Sequence, residues 1–174
     1  MKTLLVIGGT GFFGKSILDA YSRNLLAPWH ISKVIVMSRN ATKLLHDTPD
    51  LVGPNIELYS ADITNTEGLP LADYVIHAAA STDVRNYLSS PEDEKKNIQA
   101  GTYHYCDLAR IHHANSKIVY VSSGAVYGLL NFIVPNDRLI NGIHCVFNRR
   151  RNAGIDPIIH RLINLSGCRQ GGKK

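Results

Sequence analysis

The sequence predicts an α/β protein built around a doubly wound parallel sheet. Short Val- and Ile-rich runs recur at 3–7, 33–37, 56–60, 73–78 and 117–122 with little polar alternation, as expected of strands covered on both faces. Segments of helical character separate these runs, and strands alternating with helices close into a parallel sheet through right-handed crossovers. The first run ends in a glycine turn, Gly8-Gly9-Thr10-Gly11-Phe12-Phe13-Gly14, that leads into a helix. The 174 residues suffice for one domain with a core.

Taken in order, Thr3 to Ile7 is too short for a signal-peptide core and reads as strand. A helix is expected from the glycine loop to about residue 26, with Ile17, Leu18, Tyr21 and Leu25 at helical spacing. A second long helix is expected over 92–114. Pro91 stands near its start, and Glu92, Asp93 and Glu94 suit the positive end of the helix dipole. From 129 to 151 the alternation breaks, and no clean helix face emerges. Order returns at Gly154 to Arg161, which reads as another strand, and the last four residues read as a frayed end. The chain thus divides into 1–128, an atypical segment 129–151, and a piece over 152–174.

Composition narrows the classes. Hydrophobic content of 44% and charged content of 19% suit a soluble globular chain. No apolar run approaches the roughly 18 residues of a membrane span. Cys106, Cys145 and Cys168 form no CxxC pair, so reduced thiols in a cytoplasmic protein are expected. No metal site is expected, because His112-His113 and the other histidines lack ligand spacing. Charge is uneven: residues 1–128 hold 11 Lys+Arg and 12 Asp+Glu, whereas 129–174 hold 8 Lys+Arg against Asp137 and Asp156. Such a step suits either a nucleic-acid arm or two parts of different history. Arg149-Arg150-Arg151 is the only basic cluster there, with Phe132 and Phe147 the only aromatic rings, so no nucleic-acid partner is expected.

The glycine turn carries the chemistry. It reads G-x-G-x-x-G at 9, 11 and 14, and G-x-x-G-x-x-G at 8, 11 and 14. Glycines let the chain turn sharply and bring backbone N–H groups close to a phosphate, and the helix start adds free donors and partial positive charge. Gly8, Thr10, Gly11, Phe12, Phe13 and Gly14 are therefore candidate contacts for a dinucleotide pyrophosphate; an ordinary turn is the plainer alternative. An acidic residue about 20 residues further on would bind the adenosine 2′-OH of NAD. Met37-Ser38-Arg39-Asn40 holds none, and Arg39 beside Ser38 suits a 2′-phosphate, which favours NADP over NAD. Asp62-Ile63 is placed to meet an adenine edge, although Asp62 serves equally well as a turn residue.

The order of these motifs resembles the extended short-chain dehydrogenase/reductases, the NAD(P)-dependent epimerase/dehydratase group that mostly modifies nucleotide sugars. The resemblance rests on Gly8–Gly14, Asp62-Ile63, His77-Ala78-Ala79-Ala80, Asn97 to Thr102 and Val119 to Gly128. It resumes at Gly154 to Pro157 and at Arg161 to Gly167, an R-x-x-N-x-x-G run. It implies a Rossmann-type fold. Ala78, Ala79 and Ala80 would lie along the cofactor, with Ser122 at the end of the fifth strand. Ser123 would be the catalytic serine that hydrogen-bonds the reacting substrate oxygen. Asn97 would shape the site, and Asn164 would contact a nucleotide-sugar substrate. Pairing into a homodimer through helices, one the counterpart of 92–114, is also implied.

The same resemblance calls for a Tyr-x-x-x-Lys pair, in which the ammonium lowers the phenol's pKa so that it can act as base. Its place falls near Cys145 to Arg150, where there is no tyrosine. Tyr127, the last in the chain, is followed four positions on by Asn131, and Phe147 with Arg151 has the spacing without the chemistry. A deletion, a slip in reading frame or divergence within 129–151 would each produce this pattern. The partner helix of the dimer would carry the missing pair, which leaves dimerisation open. The C-terminal substrate-binding part is expected to be largely missing, as in a truncated member of weak or no activity. The alternative is a non-catalytic NAD(P)-binding protein.

Overall fold

Leu4-Leu5-Val6-Ile7 are four consecutive apolar residues, each at most 2% exposed, so the strand they form is covered on both faces. That strand, β1 (Lys2–Ile7), is the middle of the sheet. A computed structural model describes residues 1–80 and 89–121. Within them β1 is followed by α1 (Phe12–Ser22), β2 (Ile31–Ser38), α2 (Leu44–Asp47), β3 (Ile56–Ser60), β4 (Tyr74–His77), α3 (Pro91–His112) and β5 (Lys117–Tyr120). The five strands are all parallel and lie in the order β3-β2-β1-β4-β5. This is the doubly wound Rossmann arrangement, and each strand falls within two residues of its expected bounds.

Alternation along the strands sorts the core into two layers. Leu5, Ile7, Ile35, Met37, Val75 and Ile118 point to one face and pack with Tyr105, Cys106 and Ala109 of α3. Leu4, Val6, Val34 and Val36 point to the other and pack with Leu18 of α1 and Leu44 of α2. Full burial of such a side chain stabilises the fold by about 1.5–3 kcal/mol. Among the described residues, no helix is long and apolar enough to cross a membrane.

The first helix stops at Ser22 rather than near 26. Asn24 has φ 60°, in the left-handed region. Its amide donates to the Tyr21 carbonyl at 2.9 Å, and the Leu25 amide donates to the Ala20 carbonyl at 2.9 Å. These two bonds are the Schellman closure, so the apolar spacing that runs on to Leu25 marks packing beyond the helix rather than more helix. Replacing Asn24 by valine, whose branched Cβ opposes this conformation, is expected to cost about 1–2 kcal/mol in a urea titration.

The connection from β3 to β4 is held largely by side chains near it in space. His104 Nε2 lies 2.7 Å from the Thr66 carbonyl oxygen, and His113 Nε2 lies 2.8 Å from that of Pro70. Both histidines belong to α3 or its C-cap, so they tie this helix to the connection. Gly101 of α3 lets the helix close on this connection: a Cβ there would sit 3.3 Å from the Ile63 methyl.

Candidate functional site

β1 lies between β2 and β4, and the chain leaves its neighbours in opposite directions. A crevice therefore opens beyond the carboxyl ends of these strands, the usual ligand position in such sheets. Here it is a cleft of about 800 Å³. Its walls include Gly8, Thr10, Gly11, Phe12 and Phe13, then Ser38 and Arg39, then Asp62 and Ile63, and finally Ala78, Ala79 and Ala80. Residues from four separate stretches of sequence thus meet in one place.

The loop owes its shape to two glycines. Gly8 has φ +84°, and a Cβ on it would lie 2.7 Å from the backbone of Ala78 and Ala79. The tight approach of β1 to β4 at the cleft floor, with the Ala78 amide donating to the Ile7 carbonyl at 2.8 Å, depends on that missing atom. Gly14 stands apart from the other candidate contacts and does not line the cleft. It lies under the loop, where a Cβ would fall 2.0 Å from the Gly9 carbonyl oxygen. Its place is the contact between helix and loop.

α1 begins without a cap. Gly11 is the N-cap and offers no side chain, the first turn holds no acidic residue, and the first backbone bond into the loop is Lys15 N–H to the Gly11 carbonyl at 3.0 Å. Helix geometry then leaves the amides of Phe12, Phe13 and Gly14 without intrahelical acceptors, beside a partial positive charge. This is the donor set an anionic pyrophosphate requires. Phe12 is 81% exposed, with its ring edge-on to Phe13 at 5.6 Å.

At the β2–β3 end, Asp62 is both cleft wall and turn residue. Its Oδ1 accepts bonds from the Thr64 amide and the Thr64 hydroxyl, each at 2.9 Å. The Thr64 amide bond is the main cause holding this carboxyl below its ordinary range; the Thr64 hydroxyl and the Arg39 charge add to it against a desolvation cost. Ser38 Oγ is enclosed without a hydrogen-bond partner among the described residues.

At the β4 end, Glu94, Asn97, Ile98 and Gly101 of α3 line the cleft. Their spacing marks one helix face. The motif Asn97 to Thr102 assigns a site role to Asn97 alone; Ile98 and Gly101 of the same run, Glu94, and Lys43 at the opposite end have none assigned by the sequence. Beneath the floor, His77 is 1% exposed, stacked on Tyr120 at 4.9 Å and edge-on to Tyr105 at 4.8 Å. Burial pulls its pKa down to about 4, and Nε2 has no hydrogen-bond partner among the described residues. Ser122, Ser123, Asn164 and the whole of 129–174 lie outside the described residues.

Comparison with known proteins agrees with this geometry. The pattern of the NAD dependent epimerase/dehydratase family matches residues 4–174. A UDP-glucose 4-epimerase of Rickettsia bellii is 31% identical over 130 residues, covering 72% of this chain and 38% of that protein. A dTDP-glucose 4,6-dehydratase of Mycolicibacterium smegmatis is 30% identical over 136 residues, covering 76% of this chain and 39% of that protein. In fold, the chain is similar to DesIV, a dTDP-glucose 4,6-dehydratase from Streptomyces venezuelae solved with NAD and TYD bound. That likeness has a TM-score of 0.71 at 22% identity and covers 88% of this chain and 53% of the other. The chain spans about half or less of the length of the proteins it matches.

Proposed function

The chain belongs to the NAD dependent epimerase/dehydratase family, and from that premise we propose that it binds NADP in the cleft and takes a nucleotide sugar as its second ligand. The observation that carries this reading is the uncapped start of α1, opened by a glycine loop at the switch point of the sheet. The dinucleotide, when bound, supplies the hydride acceptor and donor. The chain's own part is to hold it: the amides after Gly11 for the pyrophosphate, Arg39 for a 2′-phosphate, Asp62 beside the adenine, and Ala78 to Ala80 where bulk would keep the ribose away. Ser122 would stand at the end of β5, Ser123 would hydrogen-bond the reacting sugar oxygen, and Asn164 would contact the sugar nucleotide.

No tyrosine in the chain is followed four positions later by lysine. That absence favours a second reading beside the first, a dinucleotide-binding protein with little or no turnover of its own. Titration of the purified chain with NADPH and NADH, followed by UDP-glucose and dTDP-glucose with either cofactor, separates the readings. Binding without turnover is the expected result. Robust hydride transfer would overturn the low-activity reading, and failure to bind either dinucleotide would overturn both. Arg39→Ala is expected to weaken NADPH binding about tenfold, as loss of a charge-assisted bond does, with NADH little changed.

A further inference from the structure

Lys43 closes a short 3₁₀ turn (Ala41–Lys43) four residues beyond Arg39 and lines the same end of the cleft. Its ammonium lies 3.6 Å from Asp47 Oδ2, one turn on in α2. The same oxygen lies 3.7 Å from the ammonium of Lys15, on the first turn of α1. Both separations exceed hydrogen-bond length, so one carboxylate stands between two cations and holds neither tightly. Lys15 does not line the cleft, whereas Lys43 does.

We propose that Lys43 is a second cation for the 2′-phosphate, and that Asp47 is the counter-charge that sets how strongly the site prefers a phosphorylated adenosine. The inference rests on the dinucleotide reading above. The Lys43 side chain is 62% exposed and that of Asp47 37%, so their pair is screened and contributes little to stability. A phosphate dianion beside Arg39 offers Lys43 a larger opposite charge than a single carboxylate does. When Lys43 turns to it, Asp47 keeps Lys15, and no carboxylate is left without a cation. Sharing one carboxylate between two lysines thus makes release of the cleft-side lysine cheap, while the remaining negative charge still opposes the incoming phosphate.

Calorimetric titration of the purified chain with NADPH, NADH and adenosine 2′,5′-bisphosphate tests this. Lys43→Met is expected to raise the Kd for NADPH and the bisphosphate about fivefold to tenfold and to leave NADH within about twofold, with Lys43→Arg restoring most of the loss. Asp47→Asn is expected to tighten NADPH about threefold by removing a nearby like charge, again sparing NADH. If Lys43→Met moves both dinucleotides equally or neither, or if Asp47→Asn weakens NADPH, the inference is wrong while the dinucleotide reading stands. Wild-type chain that binds NADH as tightly as NADPH leads to the same conclusion. Wild-type chain that binds neither removes both.

Discussion

Gly14→Ala is expected to unfold the nucleotide loop and to lower global stability by about 4 kcal/mol, an effect at the extreme of single substitutions. The added methyl would sit 2.0 Å from the Gly9 carbonyl oxygen and 2.3 Å from the Gly9 carbonyl carbon and Cα. These are backbone atoms, so no side chain can swing aside. Gly9 itself is closely packed on Val36 of the buried second strand, where an added Cβ would meet a methyl at 2.5 Å, so it has little room to retreat. The helix must therefore lift off the loop, which removes Leu18 from its layer of the core and disperses the free amides at the start of α1. Guanidinium denaturation and dinucleotide titration should both report the change. Near-wild-type stability would show that the helix and the loop do not pack this closely.

Acid should destabilise the fold between pH 6.5 and 4 by about 3 kcal/mol through His77 alone. Its folded pKa, lowered to about 4, lies below the ordinary 6.5. Each pKa unit is worth about 1.4 kcal/mol, and the unfolded chain binds the proton first. The contribution is complete above pH 6.5 and falls away as pH drops through that window. The cause is burial between the Tyr105 and Tyr120 rings, with His113 behind Tyr105 at 6.1 Å. Asp62 and Asp73 also favour the fold in their charged forms. Asp73 is held low first by its hydrogen bond from Lys2 and then by that from the Thr3 amide. Their contributions are lost only as pH falls below the ordinary carboxylate value of 3.8, a separate window. Urea titrations from pH 4.5 to 7.5 on wild type and His77→Leu should show a marked slope in the first and a shallower one in the second. Equal slopes would reject His77 as the source.

Much of this was legible in the sequence because it depends on local pattern. Parallel strands covered on both faces read as apolar runs, and a glycine loop between strand and helix declares itself. The close of α1 was not legible from spacing, because Leu25 continues the apolar rhythm past a left-handed Asn24. Lys43 was missed for a different reason: a lysine in a loop looks like any solvated lysine until the turn after Arg39 brings it to the cleft. The face of α3 formed by Glu94, Ile98 and Gly101 had the right period. What it lacked was any sign of which face meets the cleft, and that is fixed by packing Tyr105, Cys106 and Ala109 on the sheet. Asp62 was legible as two alternatives, and in the structure it both caps a turn and lines the cleft.

The placing of β1 at the middle of the sheet bears on how the chain folds as it is made. Leu4 to Ile7 leave the ribosome before either partner strand; their β2 partners follow some 30 residues later, but the partners on the other edge, Tyr74 to His77, come only about 70 residues after them. Until then the nascent chain carries a half-paired apolar strand with an open ladder of amides and carbonyls, the kind of edge that recruits foreign strands. A ribosome stalled before Tyr74 would therefore hold an aggregation-prone intermediate, whereas one stalled after β4 has emerged would hold β1 paired on both sides.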